Sequence, residues 1–299
     1  MIRLEDTSGG AVAAAIAAER HRMGSSATGM VLTLLILADE ESQADATAAA
    51  VGAARQHPMR IVTLIPRPGR HETRLDAEIS VGGDDGPGEV AVLRLRGLLS
   101  EHANSVAVPL LLSDTPVVAY WPEESPDIPA DDPIGRHAQR RITDCAAAAD
   151  VLRQLETRKD GYRPGDTDLA WTRLTPWRSV LASALDQPVG KVLRVTVSAE
   201  ESNPSALLLT AWLHRSLGAP TDLKISSGPG ITEVRLETET GDVSVNRSDG
   251  TTAVLSRPGA PDSHVALPRR DLAALLSEEL RRLDPDEVYG DVITHQGPA

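Results

Sequence analysis

Hydrophobic and polar positions follow two rhythms along this chain. MVLTLLILA (30–38) is a continuous apolar run and predicts a strand buried on both faces. Residues 40–56 are Ala-rich with acids at their start and predict a helix; MRIVTLIPR (59–67) predicts a second buried strand. A strand–helix–strand unit of about 38 residues predicts a parallel crossover. TRLDAEISV (73–81) sets Leu75, Ala77, Ile79 and Val81 against polar neighbours, and EVAVLRLRG (89–97) alternates again, so these strands have one wet face. Residues 98–112 read both ways: Leu98, Leu99, Val106 and Leu110 fit a helix, and Pro109 opposes it. TPVVAYWP (115–122) predicts a further strand. Upstream, residues 7–22 predict a helix with Thr7 or Ser8 as N-cap and Val12 and Ile16 on one face.

Beyond residue 122 the pattern breaks. EESPDIPADDP (123–133) reads as an acidic, Pro-rich linker, residues 134–156 as a polar strand or loop running into a helix, and TRKDGYRPGDTD (157–168) as a loop. A second periodic region follows. It predicts a helix over 175–186 with Thr175 as N-cap and Pro176 at its first position. A strand over 191–199 leads to a helix within 202–218, capped by Ser202 or Asn203 and stopped by Gly218. Runs at 231–239, 242–247 and 251–257, joined by TG and SDG turns, predict an antiparallel meander. Leu272, Leu275, Leu276, Leu280 and Leu283 form one stripe of a last helix over 268–283. The predicted fold class is α/β with two domains. Residues 1–125 form an N-terminal mixed α/β sheet domain, 126–168 a linker and connecting helix, and 169–299 a C-terminal α+β domain with the antiparallel meander.

Composition narrows the function classes. Aromatics make up 2% of the chain and Phe is absent, so the cores must be aliphatic. A formal net charge of −13 repels a phosphodiester backbone, and no nucleic-acid partner is expected. Cys145 is the only cysteine, which rules out an internal disulfide and fits a reducing, cytoplasmic setting. AVAAAIAA (11–18) lacks the flanks of a leader and reads as an ordinary first helix. No apolar run reaches about 18 residues, so no membrane span is expected.

Catalytic signatures are sparse. GSSATGM (24–30) carries Gly24 and Gly29 without a P-loop lysine. GGDDGPG (82–88) puts Asp84 and Asp85 where a phosphate would sit, and SSGPG (226–230) precedes a strand. The eight histidines, His71 among them, show no metal spacing. There is no GxSxG elbow, and Cys145 beside an Ala run reads as a packed side chain. No catalytic residue, metal ligand or cofactor is assigned. Two constellations remain. GRHAQRRITD (135–144) concentrates Arg136, Arg140 and Arg141, either as an anion or partner site or as ion pairs with the acidic 123–132 loop. AWTRLTPWRSV (170–180) carries Trp171, Arg173, Trp177 and Arg178; Trp and Arg are favoured interface anchors, yet Trp171, Leu174 and Trp177 also repeat as one helical stripe would. Trp121, in AYWP, adds another such aromatic.

Taken in order, RLDAEISVGGDDGPGEVAVLRLRG, SVAVPLLLSDTPVVAYWP, DPIGRHAQRRITD and DLAWTRLTPWRSVLASALD resemble the glucose-6-phosphate dehydrogenase assembly protein (OpcA) family in its actinobacterial form, over nearly the whole chain. The resemblance implies a non-catalytic cytoplasmic protein that binds glucose-6-phosphate dehydrogenase. It implies promotion of the active oligomer or a raised affinity for glucose 6-phosphate, supporting NADPH supply in the oxidative pentose phosphate pathway. It transfers no active-site residues, and the single Cys145 leaves no internal disulfide for redox control. The candidate partner-interface residues are Trp121, Arg136, Arg140, Arg141, Trp171, Arg173, Trp177 and Arg178. The alternative is an enzyme or sensor that holds a phosphosugar with Arg136, Arg140 and Arg141.

Overall fold

The computed structural model describes residues 1–23, 29–70, 72–82, 88–186 and 190–295. Gly24, His71, Asp84 and Asp85 lie outside the described residues. The chain divides into two units: Met1–Asp144, Gly165–Thr167 and Asp271–Pro285 form the first, and Cys145–Pro164, Asp168–Arg270 and Asp286–Ala299 the second.

In the first unit, β1 (Ile2–Leu4) precedes α1 (Gly9–Arg22). Ser8 is its N-cap: the hydroxyl accepts from the Ala11 N–H at 3.3 Å, and Val12 and Ile16 face inward as their spacing predicts. The two apolar runs become β2 (Leu32–Leu37) and β3 (Met59–Arg67), parallel and in register from Leu32–Met59 to Leu37–Leu64, with α2 (Gln43–Ala54) as the crossover. The alternating segments form β4 (Arg74–Val81) and β5 (Glu89–Arg96), an antiparallel pair with alternate residues buried. Where the pattern was ambiguous, helix is broken into pieces: a single turn at Gly97–Glu101, α3 (Ala103–Ala107), and a turn at Val108–Leu110 that contains Pro109. β6 (Val117–Trp121) and β7 (Arg140–Thr143) continue the parallel part, and β8 (Asp166–Asp168) is the last strand. The eight-stranded sheet has the order β1-β4-β5-β3-β2-β6-β7-β8.

In the second unit, α4 (Val151–Gly161), α5 (Leu169–Thr172) and α6 (Thr175–Leu185) precede β9 (Val192–Ala199). Thr175 lies inside α6 and is not its cap; its hydroxyl instead accepts from Arg178 Nη2 at 3.2 Å. α7 (Pro204–Leu217) follows the expected punctuation: Asn203 caps Ala206, Pro204 opens the helix, and Gly218 ends it with φ +61°. α7 is also a crossover, because β10 (Thr221–Ile225) pairs parallel with β9. The predicted meander is β11 (Ile231–Thr238), β12 (Val243–Asn246) and β13 (Thr252–Arg257), extended by β14 (Ala260–Ala266). The six strands run β10-β9-β11-β12-β13-β14. α9 (Glu287–Thr294) closes this unit, whose core joins Val195, Val197, Leu208, Leu209, Val234 and Leu236.

The α/β, two-domain class matches the expected one. The boundaries differ: the last predicted helix, α8 (Leu272–Arg281), belongs to the first unit although the pattern placed it in a C-terminal domain over 169–299. The reason is α2, whose Ala46, Ala49, Ala50 and Ala53 make a small-residue face. α8 packs close to it, with the Ala273 methyl 3.0 Å from where a Cβ on Gly52 would stand and Ser277 Oγ donating to Gln56 Oε1 at 2.9 Å.

Close backbone approach yields a stability prediction. A Cβ on Gly135 would stand 1.7 Å from the Pro129 carbonyl oxygen, and no rotamer relieves a clash with backbone. Gly135→Ala is expected to cost ~1–3 kcal/mol and to lower Tm by about 5 °C. A thermal melt of the variant checks this; an unchanged Tm contradicts the packing described.

Candidate functional site

Adjacent residues of a strand point to opposite faces, and this separates Arg140 from Arg141. Arg140 turns to α8: Nε lies 3.1 Å from Glu279 Oε2, Nη2 bonds the same oxygen, and Nη1 donates to the Asp284 carbonyl at 2.9 Å. Arg141 turns to β8, where Nε bonds Asp166 and Nη1 donates to the Ala138 carbonyl at 2.8 Å. Both arginines and both carboxylates are buried. Ion pairing was one expected reading of this cluster, and Arg140 and Arg141 pair with Glu279 and Asp166. The phosphosugar alternative loses two of its three forks, since Arg140 and Arg141 already hold carboxylates. Arg136, on a short turn, is exposed.

Trp121, Trp171 and Trp177 are buried as well. The Trp171 indole N–H donates to Asp286 Oδ2 at 2.9 Å, and the other oxygen of that carboxylate caps α9 through the Tyr289 N–H at 2.9 Å. Trp171 packs on Tyr289, with ring centres 5.9 Å apart. The guanidinium of Arg178 lies 3.9 Å from the Trp171 ring centre, and that of Arg247 lies 4.9 Å from Trp177. Asp168 caps α5 through Ala170 and also accepts from the Cys145 N–H, so the sequence around Trp171 is held from both sides. Cys145 is buried, as its Ala neighbours suggest. Arg173 and Arg178 are half-buried and retain surface.

A feature the sequence reading missed lies at the carboxyl ends of β2 and β6. From β2 the chain moves to β3 on one side, while β6 lies on the other. Sheets of this kind bind dinucleotides at such a switch point, with the pyrophosphate on the N-terminus of the helix that follows the first strand. Here that helix is α2, and a carboxylate stands before it. Asp39 Oδ1 accepts from the backbone N–H groups of Glu41 and Ser42 at 2.9 and 2.8 Å and from the Ser42 hydroxyl at 2.8 Å. The Ser42 backbone bond, above all, holds the Asp39 carboxyl below the usual range, so it stays ionised. Glu123, just past β6, is pushed up by burial first and then by the charges of Asp39, Glu41 and Glu124. The Glu41 and Ser42 N–H groups are taken by Asp39, and the acids around them set a negative field at this point.

Residues 50–160 match the domain family described as glucose-6-phosphate dehydrogenase subunit N-terminal domain, and residues 164–293 match the corresponding C-terminal domain. The chain belongs to the glucose-6-phosphate dehydrogenase assembly protein family. The two matches of this assembly protein family meet just after α4. No curated protein matches the sequence. Among solved structures, KijD10, a 3-ketoreductase from Actinomadura kijaniata, is similar in fold. With NADP and TDP-benzene bound it shows 10% identity and a TM-score of 0.51, and with NADP 11% and 0.50, each covering 89% of this chain and 94% of that chain. At such identity the likeness concerns fold alone. Among the described residues no helix is long and apolar enough to cross a membrane, and no cluster of His, Cys, Asp and Glu could hold a metal ion.

Two measurements test this geometry. Glu279→Ala leaves Arg140 charged, buried and short of its carboxylate, and is expected to cost ~3–5 kcal/mol in chemical denaturation, whereas Arg140→Met combined with Glu279→Leu recovers most of the loss. For Glu123 the folded carboxyl titrates above its unfolded value. Its ionisation therefore opposes folding as pH rises through the folded pKa, and the penalty is gone below the ordinary carboxylate range. Glu123→Gln should raise Tm by ~1–2 °C at pH 8 and leave it unchanged at strongly acid pH; melts across the pH range read this directly.

Proposed function

We propose that this chain is a non-catalytic partner of glucose-6-phosphate dehydrogenase that favours the dehydrogenase's active assembly, and so supports NADPH formation in the oxidative pentose phosphate pathway. Family membership supports the partner. The observation that carries the non-catalytic part is Asp39 at the start of α2, with Glu41, Glu123 and Glu124 around it. A dinucleotide's pyrophosphate entering there would meet the negative charge of these carboxylates.

The mechanism is linkage. A partner that binds the active state of an enzyme more tightly than the inactive one shifts the population by its differential affinity. The contact surface is proposed to include Arg136, Arg173 and Arg178, whose side chains retain surface, while Trp121, Arg140, Arg141, Trp171 and Trp177 hold in place the segments that carry them. Reducing, cytoplasmic conditions suit such a role.

Titration of this protein into glucose-6-phosphate dehydrogenase from the same cell, at low glucose 6-phosphate, tests the reading through NADPH formation. The expected result is a saturable fall in KM or rise in kcat. Arg136→Glu combined with Arg178→Glu should shift the midpoint at least about tenfold, with circular dichroism confirming the fold. Unchanged rates together with separate elution of the two proteins would overturn the proposal.

A further inference from the structure

The second unit contains a cavity of about 270 Å3. It lies beside Asn203, Pro204 and Ser205 at the start of α7, Ile231 at the start of β11, Arg247 just after β12, and the segment 267–270. Arg173, Arg247, Arg269 and Arg270 line it against a single carboxylate, Glu200. That carboxylate is already engaged: Asn203 Nδ2 donates to it at 3.0 Å, and the Gly230 backbone N–H is the foremost cause that keeps its pKa low.

Arg247 is the informative residue. It is 5% exposed. Nη1 donates to the Leu267 carbonyl and Nη2 to the Ile231 carbonyl, each at 3.0 Å, and the guanidinium sits over the Trp177 ring. Nε is buried and has no hydrogen-bond partner among the described residues. Arg247 thus meets neutral carbonyls and a ring, with no carboxylate in ion-pair contact among the described residues. Burial, and after it the like charge of Arg269, push its pKa down. Such an environment disfavours a cation until an anion arrives. Arg269 is exposed at the rim, and Gly230 clears its path: a Cβ there would lie 2.8 Å from Arg269 Nη2.

We propose that this cavity binds a small phosphate-bearing metabolite, with the phosphate held by Arg247 and Arg269. Arg247 and Arg269 face a carboxylate, Glu200, that Asn203 and Gly230 already engage, and an incoming anion offsets their charge. Arg forks match phosphate oxygens in two-point fashion. The positive end of the α7 dipole adds to the field; it adds no donor from Pro204, which lacks an N–H, or from Ala206, whose N–H is taken by Asn203. The volume suits a phosphate with a sugar-sized body and not a dinucleotide, being at the low end for ligand cavities. This inference does not depend on the dehydrogenase partnership, and its test contains this chain alone.

Isothermal titration and thermal melts with inorganic phosphate, glucose 6-phosphate and glucose decide it. Inorganic phosphate and glucose 6-phosphate are expected to bind saturably and raise Tm, more weakly at high salt, while glucose has no effect. Tighter binding of glucose 6-phosphate supports a sugar phosphate as the occupant; equal binding supports recognition through the phosphate alone. Arg269→Ala, at an exposed position, should weaken binding at least about tenfold with the ligand-free Tm unchanged. Arg247→Gln should abolish binding; should it fail to fold, the Arg269 variant decides. No saturation by either phosphate compound up to ~10 mM, or wild-type affinity in Arg269→Ala, would overturn the proposal.

Discussion

A guanidinium removed from water must find compensating charge or acceptors, and the buried arginines of this chain organise much of its structure around that demand. Arg60 meets Glu89 across neighbouring strands, with Nε 2.7 Å from the carboxylate, and the same carboxylate also receives Arg20 from α1 at 2.9 Å. Arg140 fixes α8 through Glu279, and Arg141 fixes β8 through Asp166. Each pair joins elements far apart in sequence, so each specifies a tertiary neighbour in a way that aliphatic packing among Ala, Val and Leu does not. With aromatics at 2% of the chain, large rings that could key the packing are few, and the ion pairs supply directionality.

The same demand explains which parts of the fold were legible in the sequence. β2 and β3 announce themselves as apolar runs because both faces are covered, and the meander announces itself through its turns. β10 and β14 are edge strands with mostly accessible side chains, so neither shows the periodicity that marks a half-buried strand. α9 has only eight residues, too short for a clear stripe, though Asp286 at its cap was there to be read. For the candidate residues, composition could show that Arg and Trp cluster and could not show their partners. Glu279 lies 139 residues from Arg140 and Asp286 lies 115 from Trp171, and no local pattern records such distances. The period of three from Trp171 to Trp177 carried the correct signal for burial. The acids after β2 were equally visible, as ADEES, but acquire meaning only once the sheet order places them at a switch point.

Fold and function separate cleanly at that point. An α/β sheet with a crossover at its centre offers the same seat for phosphate whatever follows it, and the seat works only if the backbone N–H groups of the helix start are left unoccupied. Asp39 occupies those of Glu41 and Ser42, in the turn just before α2. An aspartate in this position closes the turn that leads into α2, and its negative charge opposes an anion there. The sheet order alone therefore does not imply nucleotide binding.

The positive charge is then best sought where the chain departs from its own average. With a net charge of −13, the surroundings of most sites repel anions, and a ligand bearing phosphate would be drawn only to a place where low-dielectric walls concentrate the opposite field. The cavity around Arg247 has that character: Arg247 comes from the end of β12 and Arg269 from the segment before α8, with the Trp177 ring against the Arg247 guanidinium. Arg60, Arg140 and Arg141 show that this chain places a carboxylate beside a buried guanidinium when the requirement is structural. At Arg247 it places carbonyls and a ring instead, which leaves the charge available to a ligand.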